Sequence, residues 1–178
     1  MENIHLKDMI PRWRRALLSL LRVNVRYTRR VTCMLDKQAV ILTSNHLSLL
    51  DGVLIALASP KPLAFAVNVE HAKENPITRS GLAILAALGL GRVIAVDSER
   101  PLATRHLLQA IRAGQSVMVF PEGRISPDGR PLPTMSGVDW LAKRSGAPVL
   151  RLRLRGAEHS LVFAKAGNRL RPRVWLRF

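Results

Sequence analysis

A histidine and an aspartate, His46 and Asp51, are the residues of this chain whose types and spacing best suit chemistry. A neutral imidazole can take a proton from a hydroxyl near neutral pH. A carboxylate bonded to its other ring nitrogen fixes the tautomer and stabilises the imidazolium that forms. The pair sits in Ser44-Asn45-His46-Leu47-Ser48-Leu49-Leu50-Asp51-Gly52-Val53. The chain carries no G-x-S-x-G nucleophile motif, so the hydroxyl would belong to a substrate. A structural reading stands beside this one. Ser48-Leu49-Leu50-Asp51 is also a capping box, with Ser48 as N-cap and Asp51 at N3. On that reading Asp51 only fastens helix amides, and His46 is an ordinary loop residue.

A second constellation is Val117-Met118-Val119-Phe120-Pro121-Glu122-Gly123-Arg124-Ile125-Ser126. Here too an apolar strand pattern runs into a loop, which holds a carboxylate, a guanidinium and a glycine. Gly123 allows close approach of a ligand. Arg124 can clamp a phosphate by two parallel hydrogen bonds. Glu122 can receive a substrate hydroxyl or hold Arg124, and a structural Glu–Arg pair shaping a turn is the alternative. The remaining histidines, His5, His71, His106 and His159, show no metal-ligand spacing, and no cofactor is called for.

Both loops need rigid strand ends behind them. Ala39 to Thr43 reads as a buried strand before His46, and Val53 to Ala58 as the helix after Asp51, ending near Ser59-Pro60. Val31 to Leu35 reads as a strand pairing with 39–43, with Cys33 as a small buried hydrophobe. Further strands are expected at 64–69, 91–96, 116–120, 147–154 and 171–178. Helices are expected from Asn75-Pro76 to about Leu88, over 101–113 closed by Gly114, and from the capping box Ser136-Gly137-Val138-Asp139 to Gly146. Alternating strands and helices predict an α/β fold with a mostly parallel central sheet flanked by helices.

Residues 1–27 are expected to form a separate N-terminal segment, an amphipathic helix over 7–27 ahead of a domain at 28–178. Arg12, Arg15, Ser19, Arg22 and Arg26 recur at helical spacing opposite Ile10, Trp13, Leu17 and Leu20. A cationic face opposite an apolar face with a tryptophan suits a helix in a membrane interface. Packing on its own domain, or docking on a partner, suits the same pattern. In the last strands Leu150, Leu152 and Leu154 alternate with Arg151, Arg153 and Arg155, and Arg171, Arg173 and Arg177 alternate with Val174, Leu176 and Phe178. That arginine face is either solvated or turned to a phosphate or an acidic carrier.

The formal charge is +16, from 28 basic and 12 acidic residues among 178, which calls for an anionic partner. Aromatics make up only 4% and no nucleic-acid motif occurs, so base-stacking recognition is disfavoured and no nucleic acid is expected. A single cysteine excludes an internal disulfide framework and a Cys-rich zinc site. No apolar run approaches the ~20 residues that span a bilayer, and no secretory-signal pattern opens the chain. A strand pattern running to the final residue leads us to expect a longer parent protein.

Asn45-His46 with Asp51, then Phe120-Pro121-Glu122-Gly123, resemble the glycerolipid (lysophospholipid) acyltransferase family. Gly91-Arg92-Val93-Ile94-Ala95-Val96-Asp97 resembles its second motif, and Ala147-Pro148-Val149-Leu150 its fourth. The spacing of His46 and Asp51 alone is weak, whereas four blocks in order are specific. The similarity extends to one branch, the acyltransferase domain of the bifunctional bacterial 2-acylglycerophosphoethanolamine acyltransferase/acyl-carrier-protein synthetases. Ser145-Gly146-Ala147 and Arg155-Gly156-Ala157-Glu158 share in it.

The resemblance implies acyl transfer from an acyl-carrier-protein or coenzyme A thioester to a free glycerol hydroxyl of a lysophospholipid. His46 would be the general base and Asp51 its orienter. Amides near Gly123 would hold the oxyanion, and Asn45, Ser48, Glu122, Gly123, Arg124, Arg92 and Arg100 would bind substrate. It implies a bacterial enzyme of phospholipid remodelling, peripheral on the cytoplasmic face of the inner membrane. An acyl-carrier-protein synthetase domain would follow in the parent chain. Phosphatidic-acid-forming members carry Arg after the second-motif Asp, where this chain has Ser98, and Thr-Arg after the third-motif Gly, where it has Arg124-Ile125. Those departures favour an acceptor with a head group, such as lysophosphatidylethanolamine or lysophosphatidylglycerol, over 1-acylglycerol 3-phosphate. Arg92, Arg100 and Arg124 could still hold a phosphomonoester. An acyl groove is expected along Leu82, Ile84, Leu85 and Leu88, residues that equally suit plain core. A non-catalytic basic binding domain is the remaining alternative.

Overall fold

The computed structural model describes residues 3–4, 9–68, 81, 83, 85–96, 102–130 and 132–178. The elements are β1 (Asn3–Ile4), α1 (Arg12–Leu20), β2 (Val23–Thr28), α2 (Arg29–Lys37), β3 (Ile41–Thr43), α3 (Asp51–Ala58), β4 (Leu63–Asn68), β5 (Gly91–Val96), α4 (Leu102–Arg112), β6 (Val117–Val119), α5 (Gly137–Ser145), β7 (Val149–Arg151), β8 (Arg153–Arg155) and β9 (Val174–Arg177). A five-stranded sheet runs in the order β5-β4-β6-β3-β7. Every neighbouring pair in it is parallel. A four-stranded sheet, β1-β2-β9-β8, stands beside it. The expected α/β architecture is therefore the observed one.

The strand alternation sorts the core into two layers. Ile41, Ala64 and Val117 pack with Leu107, Leu108 and Ile111 of α4 and Leu141 of α5. On the other face, Leu42, Phe65 and Met118 pack with Leu54, Ile55 and Leu57 of α3 and with the inner residues of the smaller sheet, among them Tyr27, Leu154 and Leu176. A parallel sheet covered on both faces has near-continuously apolar strands, as β3 and β6 do.

Three sequence-based expectations fail here, each for a physical reason. Residues 7–27 do not form one helix. The helix spans only Arg12–Leu20, and the chain then enters β2, which pairs in parallel with β9 from Val23↔Val174 to Arg26↔Arg177. Arg22 turns the corner at φ 56°, a conformation rare outside glycine. Val23, Val25 and Tyr27 carry a period of two that the helical arginine spacing overlaid. Secondly, 31–35 is helical, not extended: Val31, Thr32 and Leu35 form the buried stripe of α2, and Cys33 is exposed. Thirdly, 147–154 is two strands in two sheets, changing over at Leu152, whose amide donates to the Thr43 carbonyl at 2.7 Å. Most of the expected 76–88 helix lies outside the described residues, although 81, 83 and 85–87 are helical. Leu85 is core at 2% exposure and Leu88 is exposed, while Leu82 and Ile84 lie outside the described residues.

α3 is held at both ends. Asp51 opens it, and its last carbonyls are taken by two residues from the N-terminal segment. The Arg14 guanidinium donates to Ala56, Leu57 and Ser59, and the Tyr27 hydroxyl to Ala58. A cation at a helix C-terminus also meets the negative end of the helix dipole. Burial pushes the Arg14 guanidinium down and the Tyr27 phenol up, and neither changes its charge at neutral pH.

Candidate active site

β3 and β6 are neighbours in the sheet, so the loops leaving their C-terminal ends lie side by side. Open α/β sheets bind ligands at that edge. The first loop carries His46. Its Nδ1 lies 3.0 Å from Asp51 Oδ2. That same oxygen accepts the main-chain N–H of Leu47 and of Ser48, and Oδ1 accepts the Ser48 hydroxyl at 2.7 Å. The Asp51 side chain is fully buried and that of His46 is 20% exposed. A carboxylate accepts only, so the neutral ring carries its proton on Nδ1 and leaves Nε2 as the base. Nε2 has no protein partner among the described residues.

The two readings of Asp51 therefore merge. It fastens the amides of its own loop and orients the imidazole. The capping box is half formed: the Asp51 carboxylate accepts the Ser48 N–H, but the Ser48 hydroxyl donates to that carboxylate instead of accepting the Asp51 N–H, and Leu50 occupies the N-cap position.

The second loop clasps the first at three points. The Phe120 ring stacks on the His46 ring, with centroids 4.1 Å apart and planes 17° apart. The Glu122 carboxylate receives the main-chain N–H of His46 and of Leu132. The Ser126 N–H donates to the His46 carbonyl at 2.8 Å. Burial pushes the Glu122 carboxyl above its ordinary range, against the pull of those two amides, and the Asp51 charge pushes the same way. Glu122 Oε2 is buried with no hydrogen-bond partner among the described residues. Gly123 takes φ +68° and donates its N–H to the Phe120 carbonyl at 3.0 Å. That amide closes the turn, so it is spent and is not an oxyanion donor. A Cβ there would meet Met135 Cε at 3.0 Å.

The other expected site residues divide. Asn45 is not free for substrate: its amide bridges to the main chain of Leu154 in β8, donating at 2.9 Å and accepting at 3.1 Å. Ser48 is equally committed, to Asp51. Both position the loop that carries His46. Arg124 is exposed at the loop tip, with no hydrogen bond or ion pair among the described residues, so Glu122 does not hold it. Arg92 sits beside the start of β5, at the opposite edge of the sheet from the His46 loop, and its Nε donates to Gln115 at 2.6 Å. Arg100 lies outside the described residues, as do Asp97 and Ser98. Sequence reasoning misses the stacking role of Phe120, for which an aromatic just before the Pro-Glu-Gly turn is the available signal. Among the described residues no cluster of His, Cys, Asp or Glu could hold a metal ion. Nor is any helix among them long and apolar enough to cross a membrane.

The chain belongs to the Acyltransferase family, which matches it over residues 4–154. It has homology to 1-acyl-sn-glycerol-3-phosphate acyltransferases. Those of Limnanthes alba and Limnanthes douglasii are each 31% identical over 141 residues, 76% of this chain and 47% of theirs. The chain thus spans just under half the length of these curated relatives. The crystal structure of the 1-acyl-sn-glycerophosphate (LPA) acyltransferase PlsC from Thermotoga maritima shares the fold. It has a TM-score of 0.62 at 23% identity, over 97% of this chain and 66% of that one.

Proposed function

We propose that the chain is an O-acyltransferase that moves a fatty acyl group from a thioester to a free hydroxyl of a glycerol-phosphate lipid. The observation that carries this is the Nε2 of His46, without a partner among the described residues, on a ring whose Nδ1 is held by a fully buried carboxylate. The acceptor O–H gives its proton to Nε2. The oxygen attacks the thioester carbonyl, an ester bond forms and the C–S bond breaks. The leaving thiolate takes the proton back from the imidazolium. No covalent enzyme intermediate is needed, and no metal. Glu122 Oε2, buried and without a partner among the described residues, is suited to receive a second polar group of the acceptor. Arg124, exposed beside it, is suited to the acceptor phosphate.

The names of the relatives favour 1-acylglycerol 3-phosphate as acceptor, giving phosphatidic acid, over the head-group acceptors that the sequence departures favoured. The second reading, lysophosphatidylethanolamine or lysophosphatidylglycerol, keeps one observation. Arg124 follows Gly123 directly, and Ile125 stands where a phosphate-binding Arg would be expected. The donor is an acyl-carrier-protein or coenzyme A thioester, and the net charge favours the acidic carrier. We place the protein peripherally on an anionic membrane, the cytoplasmic face of a bacterial inner membrane. A synthetase domain in a longer parent is the arrangement the branch resemblance suggests.

A head-to-head assay tests the acceptor. Lysophosphatidic acid, lysophosphatidylethanolamine and lysophosphatidylglycerol are offered with each thioester, and products are read by mass spectrometry. Preferred acylation of lysophosphatidic acid is expected. Preference for a head-group lysolipid would move the assignment to the second reading, and no acylated product with any acceptor would defeat both.

A further inference from the structure

Arginines crowd one face of the smaller sheet. Registration across β2, β9 and β8 puts Arg26, Arg177 and Arg153 in one row, and Asn24, Trp175 and Arg155 in the next. All six are exposed. Neighbouring strands are about 4.8 Å apart, and like charges directly opposite are destabilising. None of these arginines forms an ion pair with a described residue. At one end the face runs into a groove of about 290 Å³ beneath α1, where Arg15, Ser19, Arg22, Asn24 and Arg173 converge. No carboxylate among the described residues lines that groove. Arg22 reaches it through its left-handed backbone, anchored by its Nη1 on the Arg171 carbonyl and by the Val174 N–H on its own carbonyl.

We propose that this groove binds the phosphate of an anionic phospholipid and that the arginine face around it docks on the bilayer. Charge complementarity carries the choice of occupant. Arg15, Arg22 and Arg173 line a groove roomy enough for a phosphate headgroup, with Ser19 and Asn24 beside them, and guanidinium forks match phosphate oxygens. Trp175, half-exposed in the middle of the face, suits the headgroup level of a membrane. The same sheet is tied to the chemistry, because Leu154 of β8 anchors Asn45 beside His46. Docking would bring that loop to the surface where a lipid acceptor resides. The helix face opposite Arg14 and Leu18 leaves Trp13, Leu17 and Leu20 exposed as well, but the groove is the anion-specific part. Lipid is chosen over other polyanions on the strength of the proposed acyl transfer, while the readout below is binding.

The test uses sedimentation with phosphatidylglycerol and phosphatidylcholine vesicles. The protein should bind the anionic vesicles, and less so as salt is raised. Arg15→Gln/Arg22→Gln/Arg173→Gln should weaken that partition about a hundredfold, at about 1 kcal/mol per arginine. Should the triple variant fail to fold by circular dichroism, Arg173→Gln alone should lose about fivefold. Arg26→Gln/Arg177→Gln should weaken binding while melting no lower than the parent, since repulsion is relieved. His46→Gln should bind vesicles like the parent even if it is inactive, which separates this inference from the acyl-transfer reading. Unchanged partition of the groove variants would overturn the proposal. So would a loss of binding to an acidic carrier protein in the groove variants with vesicle binding intact.

Discussion

Replacing Asp51 by asparagine separates the two tasks of that carboxylate. Oδ2 takes the imidazole Nδ1 and two main-chain amides, and Oδ1 takes the Ser48 hydroxyl. An asparagine oxygen placed where Oδ2 lies still receives both amides. Its NH₂ then faces the Ser48 hydroxyl, which can turn from donor to acceptor. Four charge-assisted bonds become neutral ones. At roughly 0.5 kcal/mol lost in each, the cost is about 2 kcal/mol, or about 6 °C in melting temperature for a chain of this size. The catalytic cost is larger. The imidazolium formed during transfer loses an opposite charge whose centre lies about 4 Å away, worth about 4 kcal/mol at an effective dielectric of 20. That is close to a thousandfold in rate. The assay is the initial rate of thioester consumption with a saturating lysolipid, beside a thermal melt. A melt lowered as expected with a rate within about tenfold of the parent would refute the reasoning, and Asp51 would then be a loop fastener only.

Two further outcomes follow from the same geometry. Glu122→Gln keeps an oxygen for the His46 and Leu132 amides and removes a charge whose burial is unfavourable. A carboxyl raised in the folded state binds its proton more tightly there, so its ionisation costs stability as pH rises past its ordinary value of 4.5. The variant should match the parent in acid and equal or exceed its melting temperature at neutral pH, while acyl transfer falls. A variant less stable at pH 7 than in acid, relative to the parent, would contradict the assignment. Arg14→Met removes three bonds to the end of α3 and should cost about 3 kcal/mol, roughly 10 °C in a melt, because the freed carbonyls stay buried. A drop under about 3 °C would show that α3 holds its position without that clamp.

The residues that make the site were legible because each loop follows a strand whose apolar run is buried on both faces. Ile41-Leu42-Thr43 and Val117-Met118-Val119 could be read as strands from composition alone. Their adjacency could not, since sheet order is a long-range property. The stacking of Phe120 on His46 and the bridge from Asn45 to Leu154 depend on that order, so Asn45 looked like a substrate ligand. The N-terminal segment misled for a different reason. Arg22 and Arg26 continue the helical spacing of Arg12 and Arg15, yet a turn at Arg22 starts β2, and the strand partner that stabilises it lies at the far end of the chain. Arg14 fell outside the charged stripe, and its capping role needs α3 packed against α1. In α2, Val31 and Thr32 suggested a strand, but Val31 and Leu35 bury one helical stripe, and tertiary packing outweighs a weak local preference.

The central claim is that His46 Nε2 takes the proton of a lipid hydroxyl. Single-turnover acyl transfer by His46→Gln measures it most directly, with a melting curve to show that the fold is kept. Glutamine can still donate to Asp51 but offers no base, so transfer should fall by about a hundredfold or more. A folded His46→Gln protein that transfers acyl groups within about tenfold of the parent rate would contradict it.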